Sequence, residues 1–146
     1  MPQPLQDKEI LMNDLNYLAI GAATVAAFVF SSVWYGVFGN QLAKLSPAYA
    51  ADPGSNTQRP PAWKMLVEVV RSLVVASVLA GLAADLDIDH WTGAVALGFA
   101  LWIGFPVVLW TGAIMWEKVP SRLAVIHAGD WLVKILGIAV IVGVWT

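Results

Sequence analysis

The sequence contains no cysteine. That excludes disulfides, thiolate metal sites and a cysteine nucleophile, and it leaves the redox compartment open. Charge is also scarce: Asp, Glu, Lys and Arg make up 12% of the 146 residues, against about 25% in an ordinary soluble domain. So little charge cannot cover a water-facing surface. The formal net charge is −2, so the basic excess of a nucleic-acid footprint is missing and no nucleic acid is expected as a partner. The phosphate-loop, serine-elbow and HExxH patterns are absent too. What the chain has in quantity is apolar residues, 59% of the total. Its length suits one domain over residues 1–146.

A membrane-spanning helix needs about 20 mostly apolar residues in a row. Four segments meet this: Leu15–Phe38, Trp63–Ala84, Trp91–Trp116 and Leu123–Thr146. The predicted fold is all-α: a polytopic membrane protein, a four-transmembrane-helix bundle with the lipid bilayer as its solvent. Trp63, Trp91, Trp116 and Trp145 stand at span ends, and Trp34 stands near one. Tryptophan favours the membrane–water boundary because its ring is apolar and its N–H is not. The first span reads as an uncleaved anchor. Ala48-Tyr49-Ala50 imitates a signal-peptide cleavage motif, but the apolar run before it is too long for one and ends well upstream.

Lys and Arg in short loops set orientation. The loop 39–62, with the start of the second span, carries Lys44, Arg59 and Lys64, and the loop after the third span carries Lys118 and Arg122. The opposite side has Lys8 and the acidic turn Asp85-Leu86-Asp87-Ile88-Asp89. The basic loops are therefore expected in the cytoplasm and both termini outside. Prolines and Gly54-Ser55-Asn56 make the long loop read as irregular chain.

In lipid, helices associate through close backbone contact and interhelical hydrogen bonds, so small residues mark interfaces. Stripes at fourfold spacing are Ala23, Ala27 and Ser31; Ser72, Ala76, Ala80 and Ala84; and Ala96, Ala100 and Gly104. They read as packing within one bundle, with a dimer interface as the alternative. Gly104-Phe105-Pro106 predicts a kink in the third span, because proline lacks an N–H and clashes with the turn before it.

The second and fourth spans carry Glu68, Arg71, His127, Asp130 and Lys134. A charge at the bilayer centre costs about 2.5–3.5 kcal/mol on the insertion scale, so these residues should face the bundle interior, water or one another. Glu68 and Arg71 share a helix face, as do His127, Asp130 and Lys134. Counting depth from Trp63 and Leu123 levels Glu68 with His127, and Arg71 with Asp130. With His neutral, the formal charges cancel. The expectation is one polar cluster in the cytoplasmic half, with Arg71 reaching Asp130, Lys134 able to pair with Asp130 in its own helix, and Ser31, Ser32, Tyr35, Trp110 and Thr111 at similar depth.

No metal or other cofactor is expected. Glu68, His127 and Asp130 offer oxygen and nitrogen ligands, but the neighbouring cations oppose a bound metal ion. A role for His127 as a tetrapyrrole ligand or proton carrier is weighed against ordinary packing. Asp85, Asp87 and Asp89 begin like a calcium loop, which then fails at His90 and Ala96.

Trp34-Tyr35-Gly36 with Phe38-Gly39, Gly104-Phe105-Pro106 and Gly143-Val144-Trp145 form a set of short motifs. On these, from Asn16 onward, the chain resembles the bacterial membrane family called domain of unknown function 1761. The resemblance implies the fold and the topology alone and carries no activity; the expected location is a bacterial inner (cytoplasmic) membrane. The leading expectation is a non-catalytic subunit or scaffold, as a homo-oligomer or within a larger membrane complex. The alternative is an oligomeric carrier or channel for a small solute or proton. An enzyme acting on lipid or quinone, with His127 and Asp130 as acid and base, is the weakest reading, because no nucleophile or metal accompanies them.

Overall fold

A computed structural model describes residues 16–50 and 60–145. Helix α1 spans Tyr17–Leu45, α2 Ala62–Asp85, α3 Trp91–Trp116 and α4 Ser121–Trp145, and each is long and apolar enough to cross a membrane. The described residues contain no strand. The chain is an all-helical, four-span membrane protein. The tail before Asn16, Arg59 and the Pro53–Asn56 stretch lie outside the described residues.

Local chemistry sets most helix ends. The Asn16 side chain accepts from the Ala19 N–H at 3.1 Å and starts α1. Its amide also donates to the Trp145 carbonyl at 3.2 Å, which joins the two ends of the bundle's chain. Pro60 and Pro61 precede α2, and the Pro61 carbonyl accepts its first backbone bonds. At the end of α2, Asp87 takes a left-handed conformation, φ 52°. The Ile88 N–H then reaches the Ala83 carbonyl at 2.9 Å, closing a Schellman-type turn without glycine. The Asp89 carboxyl lies below its usual pKa because it accepts a hydrogen bond from His90.

Two expectations are corrected. The first helix continues to Leu45, although hydropathy falls after Phe38. No proline stops it before Pro47, and Leu42 is buried with Leu123 and Ile126. Residues 39–45 are therefore helix, and the loop is correspondingly shorter. In α3, Ala96, Ala100 and Gly104 face outward. The buried small residues are Ala94 and Gly98. The span offers both stripes, and spacing alone cannot choose between them.

Pro106 sits in a π turn, Ile103–Val107, where the missing N–H is absorbed by a wider turn. The turn lies in the segment for which the kink was expected.

Helix α4 is the centre of the bundle. On one face its Gly129 and Gly137 receive the rings of Trp34 and Phe30 from α1. On the opposite face, Ile135, Ala139 and Gly143 meet Gly98, Ala94 and Trp91 of α3. Helix α2 closes the third side against α1 and α4 and barely touches α3. Toward the chain termini, Ile20, Ala23, Ala27, Ala76, Leu79, Ala80, Ile138 and Val142 form one apolar core. A smaller cluster around Leu42, Leu123 and Ile126 lies where α1 ends and α4 begins. The polar residues lie between the two.

Candidate functional site

Helix α1 runs antiparallel to α4, and two polar rungs join them. Ser31 donates from Oγ to Asp130 Oδ1 at 2.6 Å. One turn on, the Tyr35 hydroxyl bonds His127 Nδ1 at 2.7 Å. Ser31 and Tyr35 are four apart and Asp130 and His127 three apart, so each pair shares a helix face. The register is held by indole clamps on both sides. Trp34 Nε1 donates to the Ile126 carbonyl at 2.9 Å, and Trp102 Nε1 of α3 donates to the Ala128 carbonyl at 2.8 Å.

His127 is enclosed by aromatics. Trp110 stacks flat on it, with centroids 4.8 Å apart and planes 6° from parallel. Its Nε2 bonds the hydroxyl of Tyr49 at 2.9 Å. Tyr49 comes from a short 3-10 turn, Pro47–Tyr49, beyond the end of α1. Partial burial pushes the Tyr49 phenol above its ordinary pKa, so it carries its proton at neutral pH. A neutral imidazole has one donor and one acceptor nitrogen. One tyrosine therefore donates to the ring while the other accepts from it. Both nitrogens are engaged, so this arrangement leaves no lone pair for a tetrapyrrole.

The charged residues meet on a second line. Lys134, 1% exposed, donates to Glu68 Oε1 across the α2–α4 contact. Its ammonium also lies 3.9 Å from Asp130 Oδ2 and 5.2 Å from the centre of the Trp131 ring. Arg71 donates to Glu68 Oε2 at 2.9 Å within α2, and its guanidinium lies 5.6 Å from the Trp131 ring. Glu68 thus holds two cations, and Asp130 holds a hydroxyl and one flank of Lys134. The expected Arg71–Asp130 pair is not formed. Equal depth was the wrong assumption: by residue count Lys134 lies roughly 10 Å further along its helix than Glu68 along its own. The long lysine stem leans back toward the start of α4, as helical side chains do, and closes the gap.

The structure therefore brings Glu68, Arg71, Asp130 and Lys134 into one ion-pair chain. It attaches His127 through the parallel Ser31 and Tyr35 rungs. Gly104 and Pro106 stay apart from it, in the π turn of α3. Thr111 bonds the Val107 carbonyl of its own helix at 2.7 Å and takes no part. Tyr49 and the two indole clamps escape the sequence reading. An aromatic one turn beyond Ser46-Pro47 was the available signal for Tyr49. Ser72, fully buried, has an Oγ with no hydrogen-bond partner. Among the described residues no three His, Asp or Glu converge on a point where a metal ion would sit.

These parts can pass a proton between Tyr49, His127 and Tyr35. They can also fix α2 to α4 inside a low-dielectric medium.

Comparison with known proteins adds one identification. Residues 18–143 match the family model described as "Protein of unknown function (DUF1761)", and the chain belongs to that family. No curated protein and no solved structure matches it.

Proposed function

We propose that this protein is a non-catalytic subunit or scaffold of a membrane assembly, formed with further copies of itself or with other chains. The observation that carries this reading is Arg71. Its side chain is 52% exposed in the middle of an apolar span. Around it, every residue from Ala62 to Arg71 except Glu68 is exposed, so half of α2 stands clear of its own bundle. A guanidinium facing hydrocarbon is costly, whereas an acceptor on a neighbouring helix removes that cost. A homo-oligomer meets the requirement if a second copy presents a carbonyl or carboxylate there. The basic residues Lys44, Lys64, Lys118 and Arg122 at one end, against Asp85, Asp87 and Asp89 at the other, support cytoplasmic loops and external termini in a bacterial inner membrane.

The absence of native cysteine makes the test clean. Single cysteines at Val67, Val74 and Val78, which are exposed on the Arg71 face of α2, should give crosslinks when oxidised in native membranes. A chain that stays uncrosslinked at all three and is monomeric after mild extraction contradicts the proposal. Cysteines at Asp87 and Lys118, treated with an impermeant label on whole cells, test orientation: only the former should react.

A proton or small-solute carrier is the second reading. It is favoured by the Tyr49–His127–Tyr35 hydrogen-bond chain, which runs from an exposed segment to within reach of buried Asp130. Vesicles containing the protein should then show a flux that falls with Asp130→Asn.

A further inference from the structure

The face of α1 and α4 that points away from α2 holds a groove. Val29, Val33 and Val37 form one wall, each 47–67% exposed, and Val133 of α4 stands opposite. The rings of Phe30 and Trp34 sink toward Gly137 and Gly129, where a β-carbon would lie 2.5 Å from each ring. This lowers the floor between the valine walls. The groove has a volume near 570 Å³ and no polar residue in its lining. Phe38 also borders a second hollow of about 350 Å³, lined further by Gln41, Ser121, Arg122, Val125 and Ile126. The valines and Gln41 are four residues apart on one stripe, so the whole runs roughly 18 Å along α1. It is apolar for most of that length and cationic at the end where α1 stops and α4 begins.

We propose that this groove is a lipid site: it seats one acyl chain of an anionic phospholipid, with the phosphate against Arg122. Charge complementarity selects the occupant. Arg122 forms no ion pair among the described residues. Lys44, three residues beyond Gln41 on the same face and in the last turn of α1, places a second cation at that end. Both stand at the membrane boundary, the depth of a lipid phosphate, while the valine walls stand at the depth of its chain. A partner helix would fill the apolar part but would leave the cations unmatched. The site is on the opposite side of the bundle from Arg71 and does not depend on the subunit reading.

The test is lipid retention by the detergent-solubilised full chain, measured by native mass spectrometry with equal amounts of phosphatidylglycerol and phosphatidylcholine of the same chain length. The expected preference for phosphatidylglycerol is about fivefold, the effect of one cation close to a lipid surface. Arg122→Gln should cut the preference by most of that factor and Arg122→Lys should keep it; position 122 is exposed, so neither change threatens folding. Val33→Trp, which fills the groove, should remove retention of both lipids. Equal retention by the wild type, or a preference unchanged in Arg122→Gln, overturns the proposal. So does efficient crosslinking of a Val33→Cys variant to a second chain, which assigns the groove to a protein partner.

Discussion

In the half of the bundle nearest the termini, α2 meets its neighbours through Ala76, Leu79, Ala80 and Ala83, all 7% exposed or less. In the other half, from Ala62 to Arg71, only Glu68 is not exposed. The same helix is thus packed by surface at one end and tethered by a single carboxylate at the other. The first arrangement is close: Ala76, Leu79 and Ala83 are at most 1% exposed, and in the same half of the bundle a β-carbon on Gly143 of α4 would lie 2.5 Å from the Trp91 Cα of α3. The second depends on few, strong polar contacts. Small side chains stabilise helix pairs by letting backbones approach. An ion pair holds two helices at a distance and leaves room beside them.

The comparison can be broken first at Lys134. Lys134→Met leaves Glu68 and Asp130 without their shared buried cation, and should destabilise the protein by about 3–5 kcal/mol. Thermal unfolding in detergent gives the readout. The next largest effect is expected in the packed half. Gly143→Ala forces backbone apart and should cost about 1–3 kcal/mol. Gly112→Ala, in the open half where nothing lies within 4 Å, should be neutral or slightly stabilising. Equal effects at the two glycines would mean that the halves do not differ in packing. His127→Phe keeps the stack on Trp110 but loses both tyrosine bonds. Hydrogen exchange should then rise in residues 46–50 and stay unchanged across Ala76–Ala83. Ser72→Ala is the smallest change: its hydroxyl has no partner to lose, so stability should move by no more than about 0.5 kcal/mol.

The packed half was legible in the sequence, and the tethered half was legible only as a list of members. Ala23, Ala27, Ser72, Ala76 and Ala80 could be placed inward because small residues at fourfold spacing let helices approach closely in lipid, although the same spacing failed in α3. The buried charges could be named because charge within an apolar span is expensive. Their pairing could not. It depends on how far each side chain reaches along its helix, which residue count alone does not give. Lys134 reaches back to Glu68, and Arg71 is left on the outside. Tyr49 was hidden for a different reason: its role comes from a chain reversal after Ser46 that brings it back over His127, and no periodicity records a reversal. In α3 the choice between Ala94–Gly98 and Ala96–Ala100–Gly104 needed the position of α4.

The central claim is that one cross-helix ion pair holds the loop half of α2 in place. A double-mutant cycle tests it most directly, using Glu68→Gln, Lys134→Met and the two together, with unfolding free energy measured in one detergent. The account predicts that the double variant is less destabilised than the sum of the singles, with a coupling of about 2 kcal/mol. Losses that simply add would contradict it, because α2 would then be held by something other than this pair.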